Sequence, residues 1–369
     1  MPKRPPRVLQ ICHDYKGPFV TIARQYANCF PDCKVRTIFL RGEPSKALAD
    51  SIHGDVEFFC LSSQSLRGLK VEPYKRLLKF VEDTPPDIVL AHRYKSLFIS
   101  LLLNFRKEVG AVIGVAHEFG LLNQFFRSFF SKFWKKNVHL IGVSQPLCAD
   151  LLSKHPHLEG RVHYLHNSVE VSALHGRSFS RQQLNIPPNS YCYGTIGRLV
   201  RKKDHKLLLE SFASIEGNSF LAIVGDGNLL PELKLVADKL GVKERVIFCG
   251  EKNEARLLIQ AFDAFVFPST REEAFGLVLL EAMFARVPIV CSDAPGPASV
   301  LGENGMLFEC GNTEALTTQL KAVRELTKSE SDLMTEKAFE RVVSLFSRPS
   351  MERKIRSFSC VKEHAPPTE

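Results

Sequence analysis

The sequence predicts an α/β protein made of two doubly wound domains in tandem. Short runs rich in Val, Ile, Leu and Phe recur along the whole chain, near-continuous rather than alternating with polar residues, as befits parallel strands buried on both faces. Amphipathic segments separate many of them, which makes strand–helix–strand units. The pattern lapses at 168–190, where Asn-Ser, Gly, Pro-Pro and a second Asn-Ser gather, and this marks a boundary. In the first half the expected strands are 7–13, 35–40, 56–61, 87–91, 111–116, 138–143 and 162–165. In the second half they are 191–196, 220–224, 246–249, 264–267, 288–291 and 306–308, with helical patterns at 206–215, 229–240 and 254–261. Domains are expected at 1–170 and 171–345, facing each other across a cleft, with a C-terminal segment at 346–369. In such sheets ligands bind beyond the carboxyl ends of the strands.

The 369 residues, 44% of them apolar, supply real cores and exclude a disordered or fibrous chain. No apolar run approaches the roughly 20 residues that cross a bilayer. The basic N-terminus is followed by an apolar run too short for a secretory signal, so a cytoplasmic protein is expected. The ten cysteines sit mostly singly in apolar runs, Cys60 and Cys291 among them, and read as reduced core residues. Cys29 and Cys33 form one close pair, but no second Cys or His pair stands at zinc-site spacing, and no metal site is expected. The charge is lopsided. Residues 1–180 hold 25 Lys and Arg against 15 Asp and Glu, whereas residues 181–369 hold 24 against 25. A one-sided positive field attracts an anionic partner.

The informative residues follow the strands of the second half. After 191–196 comes Gly197-Arg198-Leu199-Val200-Arg201-Lys202-Lys203-Asp204, which aims Arg198 and Lys203 at one anion, with the fork of Arg suited to phosphate oxygens; a solvated basic loop reads the same way. After 220–224 comes Gly225-Asp226-Gly227, where glycine either lets backbone N–H groups approach a phosphate or simply makes a tight turn. Leu230 stands where a dinucleotide fingerprint needs its third Gly, which argues against a nicotinamide enzyme. After 264–267 a polar loop carries Glu273, and a very apolar helix opens near Gly276 with Glu281 inside it. A carboxylate among Leu279, Leu280, Ala282 and Met283 is costly if buried alone, so a polar partner is expected. The N–H groups of Phe275, Gly276 and Leu277 are first-turn donors at a positive helix end, a place for a diphosphate.

Further residues join these. Glu281 follows Glu273 in a Glu-x7-Glu pair with Phe-Gly between, and Gly296 and Glu303-Asn304-Gly305 come next. The first half adds Gly17, His117-Glu118, Val143-Ser144 and Asn167-Ser168-Val169-Glu170. Together they resemble the retaining glycosyltransferases of the GT-B architecture often called group 1, clearly over about residues 190–312 and more loosely before. Gly17 stands alone where the family commonly has two glycines, Asp204 stands where Gly is usual, and Glu118 replaces a frequent Asp.

The resemblance implies roles residue by residue. Arg198 and Lys203 would hold the nucleotide diphosphate and neutralise the leaving group, Glu281 would meet the donor ribose, and Glu273 would sit by the transferred sugar. Phe275, Gly276, Leu277, Gly225, Gly227 and Gly17 would offer backbone to sugar and phosphate, and His117 would approach the sugar from the other domain. It also implies that the C-terminal segment returns to the first domain. No Asp-x-Asp occurs, so catalysis by fixed cations is expected in place of a divalent ion, with no cofactor beyond the nucleotide-sugar substrate. The function implied is retaining transfer from a UDP- or GDP-sugar to a hydroxyl of a glycolipid or polysaccharide intermediate, such as lipopolysaccharide core, at the cytoplasmic face of the inner membrane. The alternatives are a soluble glucan- or disaccharide-forming transferase and a catalytically silent nucleotide-sugar-binding protein.

Residues 123–136 hold six aromatics, four basic residues and no acid. Drawn as a helix, Phe125, Phe126, Phe129, Phe130, Phe133 and Trp134 fill one half-circle, while Arg127, Lys132 and Lys135 share the other with two serines and Lys136 follows. That is the pattern of a helix lying on an anionic membrane, although an aromatic face packed on the domain's sheet reads the same way. No RNA-binding signature accompanies it, and no nucleic-acid partner is expected.

Overall fold

The computed structural model describes residues 4–365 except 16, 69 and 170–172, so Glu170 and the expected boundary at 170–171 lie outside the described residues. The chain divides into two units, Met1–Asn167 together with Arg348–Glu369, and Ser168–Ser347.

The first unit is built on seven parallel strands: β1 (Arg7–Cys12), β2 (Lys34–Phe39), β3 (Asp55–Phe58), β4 (Ile88–His92), β5 (Ala111–Ala116), β6 (Val138–Gly142) and β7 (Val162–Tyr164). Their order is β3-β2-β1-β4-β5-β6-β7, so the winding reverses between β1 and β4. Every residue of β4 and β5 is buried, the burial that unalternated apolar runs foretell. The second unit has six parallel strands: β8 (Tyr191–Ile196), β9 (Ser219–Val224), β10 (Val246–Gly250), β11 (Ala264–Phe267), β12 (Ile289–Ser292) and β13 (Met306–Phe308). Their order is β10-β9-β8-β11-β12-β13, with the reversal between β8 and β11. Tyr193, Leu208, Phe212, Leu221 and Leu320 belong to one continuous core beneath its helices. Crevices beyond the carboxyl ends at such reversal points are where doubly wound sheets bind ligands.

Three local expectations need correction. The third strand ends at Phe58 because Cys60 adopts φ 49°, which breaks the extended chain and leaves this cysteine exposed; it is not a core residue. The segment expected as a helix at 254–261 is a 3₁₀ run, Ala255–Ala261, entered through Glu254 at φ 53°. The expected linker holds a helix, Arg177–Gln183, organised around a buried arginine. Arg181 meets Asp263 at 2.6 Å and donates to the carbonyls of Ala261, Pro187, Pro188 and Ser190. No apolar stripe announces a helix held this way.

A second buried arginine secures the C-terminal segment within the first unit. Arg356, on the helix Arg348–Ser357, pairs with Asp32, donates to the carbonyls of Cys29 (3.0 Å) and Ala365 (2.8 Å), and lies over the Phe30 ring. Breaking a buried pair strands its partner, so Arg356→Ala is expected to destabilise this unit by about 3 kcal/mol, read from denaturant unfolding. A loss within the ordinary surface range of about 0.5 kcal/mol would show that the pair does not hold the segment.

Candidate active site

In the second unit the loop after β8 is pressed against the loop after β9. Gly225 has φ +137°, and a Cβ there would stand 2.0 Å from the Gly197 carbonyl oxygen; one on Gly227 would stand 2.4 Å from that of Leu199. The glycines are therefore required by close backbone approach. Their N–H groups are engaged within the fold, as in the tight-turn alternative. Gly225 N–H donates to the Gly250 carbonyl and Gly227 N–H to Asp226 Oδ1. The contact is locked by Leu199 N–H donating to the Asp226 carbonyl at 2.9 Å.

The loop after β8 also reaches across to the loop after β11, where Thr270 N–H donates to the Lys202 carbonyl at 2.8 Å. This brings Lys203 Nζ within 2.8 Å of Glu273 Oε2, with Lys202 Nζ 3.9 Å from the same oxygen. Both partners are largely buried, and Lys203 Nζ lies 4.5 Å above the Phe267 ring. Burial pulls the lysine's pKa down, and Glu273 only partly restores it. Burial pushes the Glu273 carboxyl up, but Lys203, Lys202 and a hydrogen bond from Phe275 N–H outweigh it and hold the group ionised below its usual value. Phe275 N–H is thus spent on Glu273 and is not an open donor for a diphosphate, which corrects the sequence reading. Gly296 backs the loop closely, since a Cβ there would stand 2.3 Å from the Glu273 carbonyl oxygen.

Gly276, at φ +89°, begins the helix Leu277–Phe284 and offers no side chain to cap its first-turn donors. Glu281 is half-buried on that helix and partnered. Arg198 is exposed and pairs with no carboxylate among the described residues. The crevice therefore gathers Lys202 and Lys203 around Glu273, with Arg198 exposed on the same loop. Sequence reading passed over Lys202, which lay in a run of bases that also suits surface.

Asp204 explains its own departure from glycine. It sits at φ 47°, ψ 44°, the left-handed region, and its carboxylate accepts from Leu207 N–H at 3.4 Å, capping the helix His205–Phe212.

In the first unit, Gly17 is exposed at φ +60° ahead of the helix Phe19–Ala27. His117 follows β5 and is half-buried, while the sequence missed what stands behind it: Gln10 and His92. Gln10 Nε2 donates to the Ala23 carbonyl at 3.0 Å, which turns its Oε1 towards His92 Nε2 at 3.4 Å. His92 Nδ1 faces His117 Nε2 at 2.9 Å. Burial lowers the pKa of both histidines, His92 to about 3, so each ring carries one proton. The chain then has one consistent arrangement: His92 donates to Gln10, His117 donates to His92, and His117 Nδ1 is a bare acceptor. That atom is buried and has no hydrogen-bond partner among the described residues.

The helix at 125–136 is shorter than expected, Phe125–Ser131, and is turned opposite to an ordinary domain helix. Ser131 is buried and bonded to His157 Nε2 at 2.8 Å, and Ser128 meets His155 Nδ1 at 3.3 Å. Phe125 (76% exposed), Phe126, Phe129, Phe130 and Phe133 face outward in mutual ring contact. The sheet-packing alternative is thereby excluded for these five rings, while Trp134 is half-buried. Lys132, Lys135 and Lys136 are exposed beside them, Arg127 lies over Tyr94, and exposed Phe105 lies under Lys135, an addition the sequence did not signal.

Residues 176–341, which hold this cationic crevice, match the family described as glycosyl transferases group 1. They form a group 1 glycosyltransferase domain. The chain is 30% identical over 175 residues to the lipopolysaccharide core biosynthesis glycosyltransferase LpsE of Rhizobium meliloti, covering 46% of this chain and 50% of that protein, so it spans about half of that relative's length. It is 22% identical over 308 residues to the UDP-Gal:alpha-D-GlcNAc-diphosphoundecaprenol alpha-1,3-galactosyltransferase of Escherichia coli, covering 78% of this chain and 75% of that one. Among solved structures, a glycosyltransferase from Rickettsia africae superposes with a TM-score of 0.83 at 17% identity, covering 99% and 100% of the two chains. The fold is GT-B.

In this glycosyltransferase domain Asp204→Gly is expected to leave the melting temperature nearly unchanged, because relief of the left-handed backbone offsets the lost cap. Asp204→Ala keeps that backbone cost and loses the cap, so a destabilisation of about 1–2 kcal/mol is expected by thermal unfolding. Equal effects of the two substitutions would refute this reading of Asp204.

Proposed function

We propose that the protein is a retaining, metal-independent glycosyltransferase that moves a sugar from a nucleotide-diphosphate sugar to a hydroxyl of a lipid-linked saccharide at an anionic membrane surface. The observation that carries this reading is the cationic crevice beyond β8 and β11, with Arg198 exposed and paired with no carboxylate among the described residues, and Lys203 buried against Glu273. A diphosphate draws Arg198 directly and competes with Glu273 for Lys203. As the bond between the anomeric carbon and the phosphate oxygen breaks, the electron pair leaves on that oxygen, and fixed cations stabilise the charge without reorganising. The acceptor oxygen bonds the same carbon on the same face, and its proton passes to the departing phosphate oxygen, because Glu273 is held as the counter-charge of Lys203. Glu281 accepts from the ribose. The bare Nδ1 of His117 accepts from a hydroxyl of the transferred sugar.

The names of the relatives support a lipid-linked acceptor: one is described for lipopolysaccharide core and another for a diphosphoundecaprenol substrate. No helix among the described residues is long and apolar enough to cross a membrane. The outward rings of Phe125–Ser131 supply an interfacial anchor in its place, flanked by Lys132, Lys135 and Lys136 at headgroup level.

Arg198→Ala is expected to lower turnover by roughly 10²-fold, the scale of losing one contact to developing charge. Turnover should proceed without added magnesium or manganese, and NMR of the product should show the donor's anomeric configuration. A strict requirement for either ion, or an inverted linkage, would contradict the mechanism. Replacing Phe126, Phe129 and Phe133 by Ser is expected to abolish sedimentation with anionic vesicles while the melting curve and nucleotide binding stay as in wild type. Each nearby Lys or Arg adds about 1 kcal/mol at such a surface, so wild-type binding should weaken as salt rises. Wild-type protein that ignores vesicles would move a soluble acceptor to first place.

A further inference from the structure

His139 lies in β6, His163 in β7 at the edge of the first sheet, and Cys360 in the short helix Ser359–Lys362 of the C-terminal segment. The first unit brings these distant positions to one point. His139 Nδ1 stands 3.1 Å from His163 Nε2, which stands 3.8 Å from Cys360 Sγ, and all three atoms lie within 4.8 Å of one another. No other group of three or more His, Cys, Asp or Glu ligands is gathered this way among the described residues.

The spacing is that of ligands around one ion. Zinc bonds of about 2.0–2.1 Å to nitrogen and 2.3 Å to sulfur place tetrahedral ligand atoms roughly 3.3–3.6 Å apart, and the two shorter separations bracket that range. The His163 ring is stacked on Phe358 at 4.7 Å, which fixes its plane. Two imidazole nitrogens and one buried thiol are a zinc-type donor set, the imidazoles binding as neutral rings and the thiol giving up its proton to the ion. The thiolate formed on binding offsets the neighbouring Arg161 and Lys354.

We propose that His139, His163 and Cys360 bind one zinc ion, with a fourth position left to water, and that the ion staples the C-terminal segment to the β6–β7 edge. Binding forms one metal–sulfur and two metal–nitrogen bonds and releases the thiol proton to solvent. The site is separate from the cationic crevice, and its test does not read sugar transfer.

Cobalt(II) is titrated into the metal-stripped full chain, where thiolate ligation gives a charge-transfer band in the near ultraviolet. Saturation at one equivalent, displacement by zinc and loss of the band in Cys360→Ser are expected. His139→Gln should keep the band but weaken binding by more than the ~10-fold that loss of an outer-shell partner costs. Should Cys360→Ser fail to fold, the half-buried His139→Gln and the melting curve serve instead: zinc should raise the wild-type Tm and leave that of His139→Gln unmoved at the same concentration. No band in wild type, or an unchanged band in Cys360→Ser, overturns the site. A wild-type Tm that zinc does not move overturns the staple.

Discussion

An ammonium group buried beside other cations persists only with a carboxylate against it, and the crevice of the second domain is arranged around that one pair. Lys203 needs Glu273, yet the two sit on loops after different strands. Every nearby peculiarity serves to bring them together. Thr270 ties the loops through the Lys202 carbonyl, Gly225, Gly227 and Gly296 remove the volume that would keep the backbones apart, and Asp204 turns the chain through a left-handed residue. The cost of assembling this charge is met during folding, so the electrostatics stand ready before any ligand arrives.

Most of the architecture was legible because parallel strands buried on both faces leave an unmistakable apolar signature, and all thirteen expected runs correspond to strands. Burial alone does not announce everything. The helix Arg177–Gln183 is held by one arginine among carbonyls, a pattern that composition reads as a linker. Cys60 falls within an apolar run yet points outward, because a single positive φ turns it away from the sheet. In the crevice, residue types and spacing located Arg198, Lys203 and Glu273, but which N–H groups were already committed depended on contacts between loops distant in sequence. The His139, His163 and Cys360 cluster was illegible for the same reason, since no spacing rule joins two strands to a terminal helix.

The two domains use charge in opposite ways. The first carries the whole of the chain's net positive charge, but Gln10 in β1, His92 at the end of β4 and His117 after β5 form a neutral chain whose output is a lone pair. The second is close to balanced overall, yet brings Lys202 and Lys203 together around Glu273 at its reversal point. Net charge thus describes the far field of each half, whereas burial and pairing decide what each crevice offers.

The helix Phe125–Ser131 is anchored by its serines and histidines, so its aromatic rings contribute almost nothing to the core. Substitution at those rings is accordingly released from the packing constraint that restrains most large apolar positions. The surface can drift in sequence without disturbing the fold beneath it. Evolution can therefore retune what this face touches on a schedule independent of the cationic crevice in the other domain.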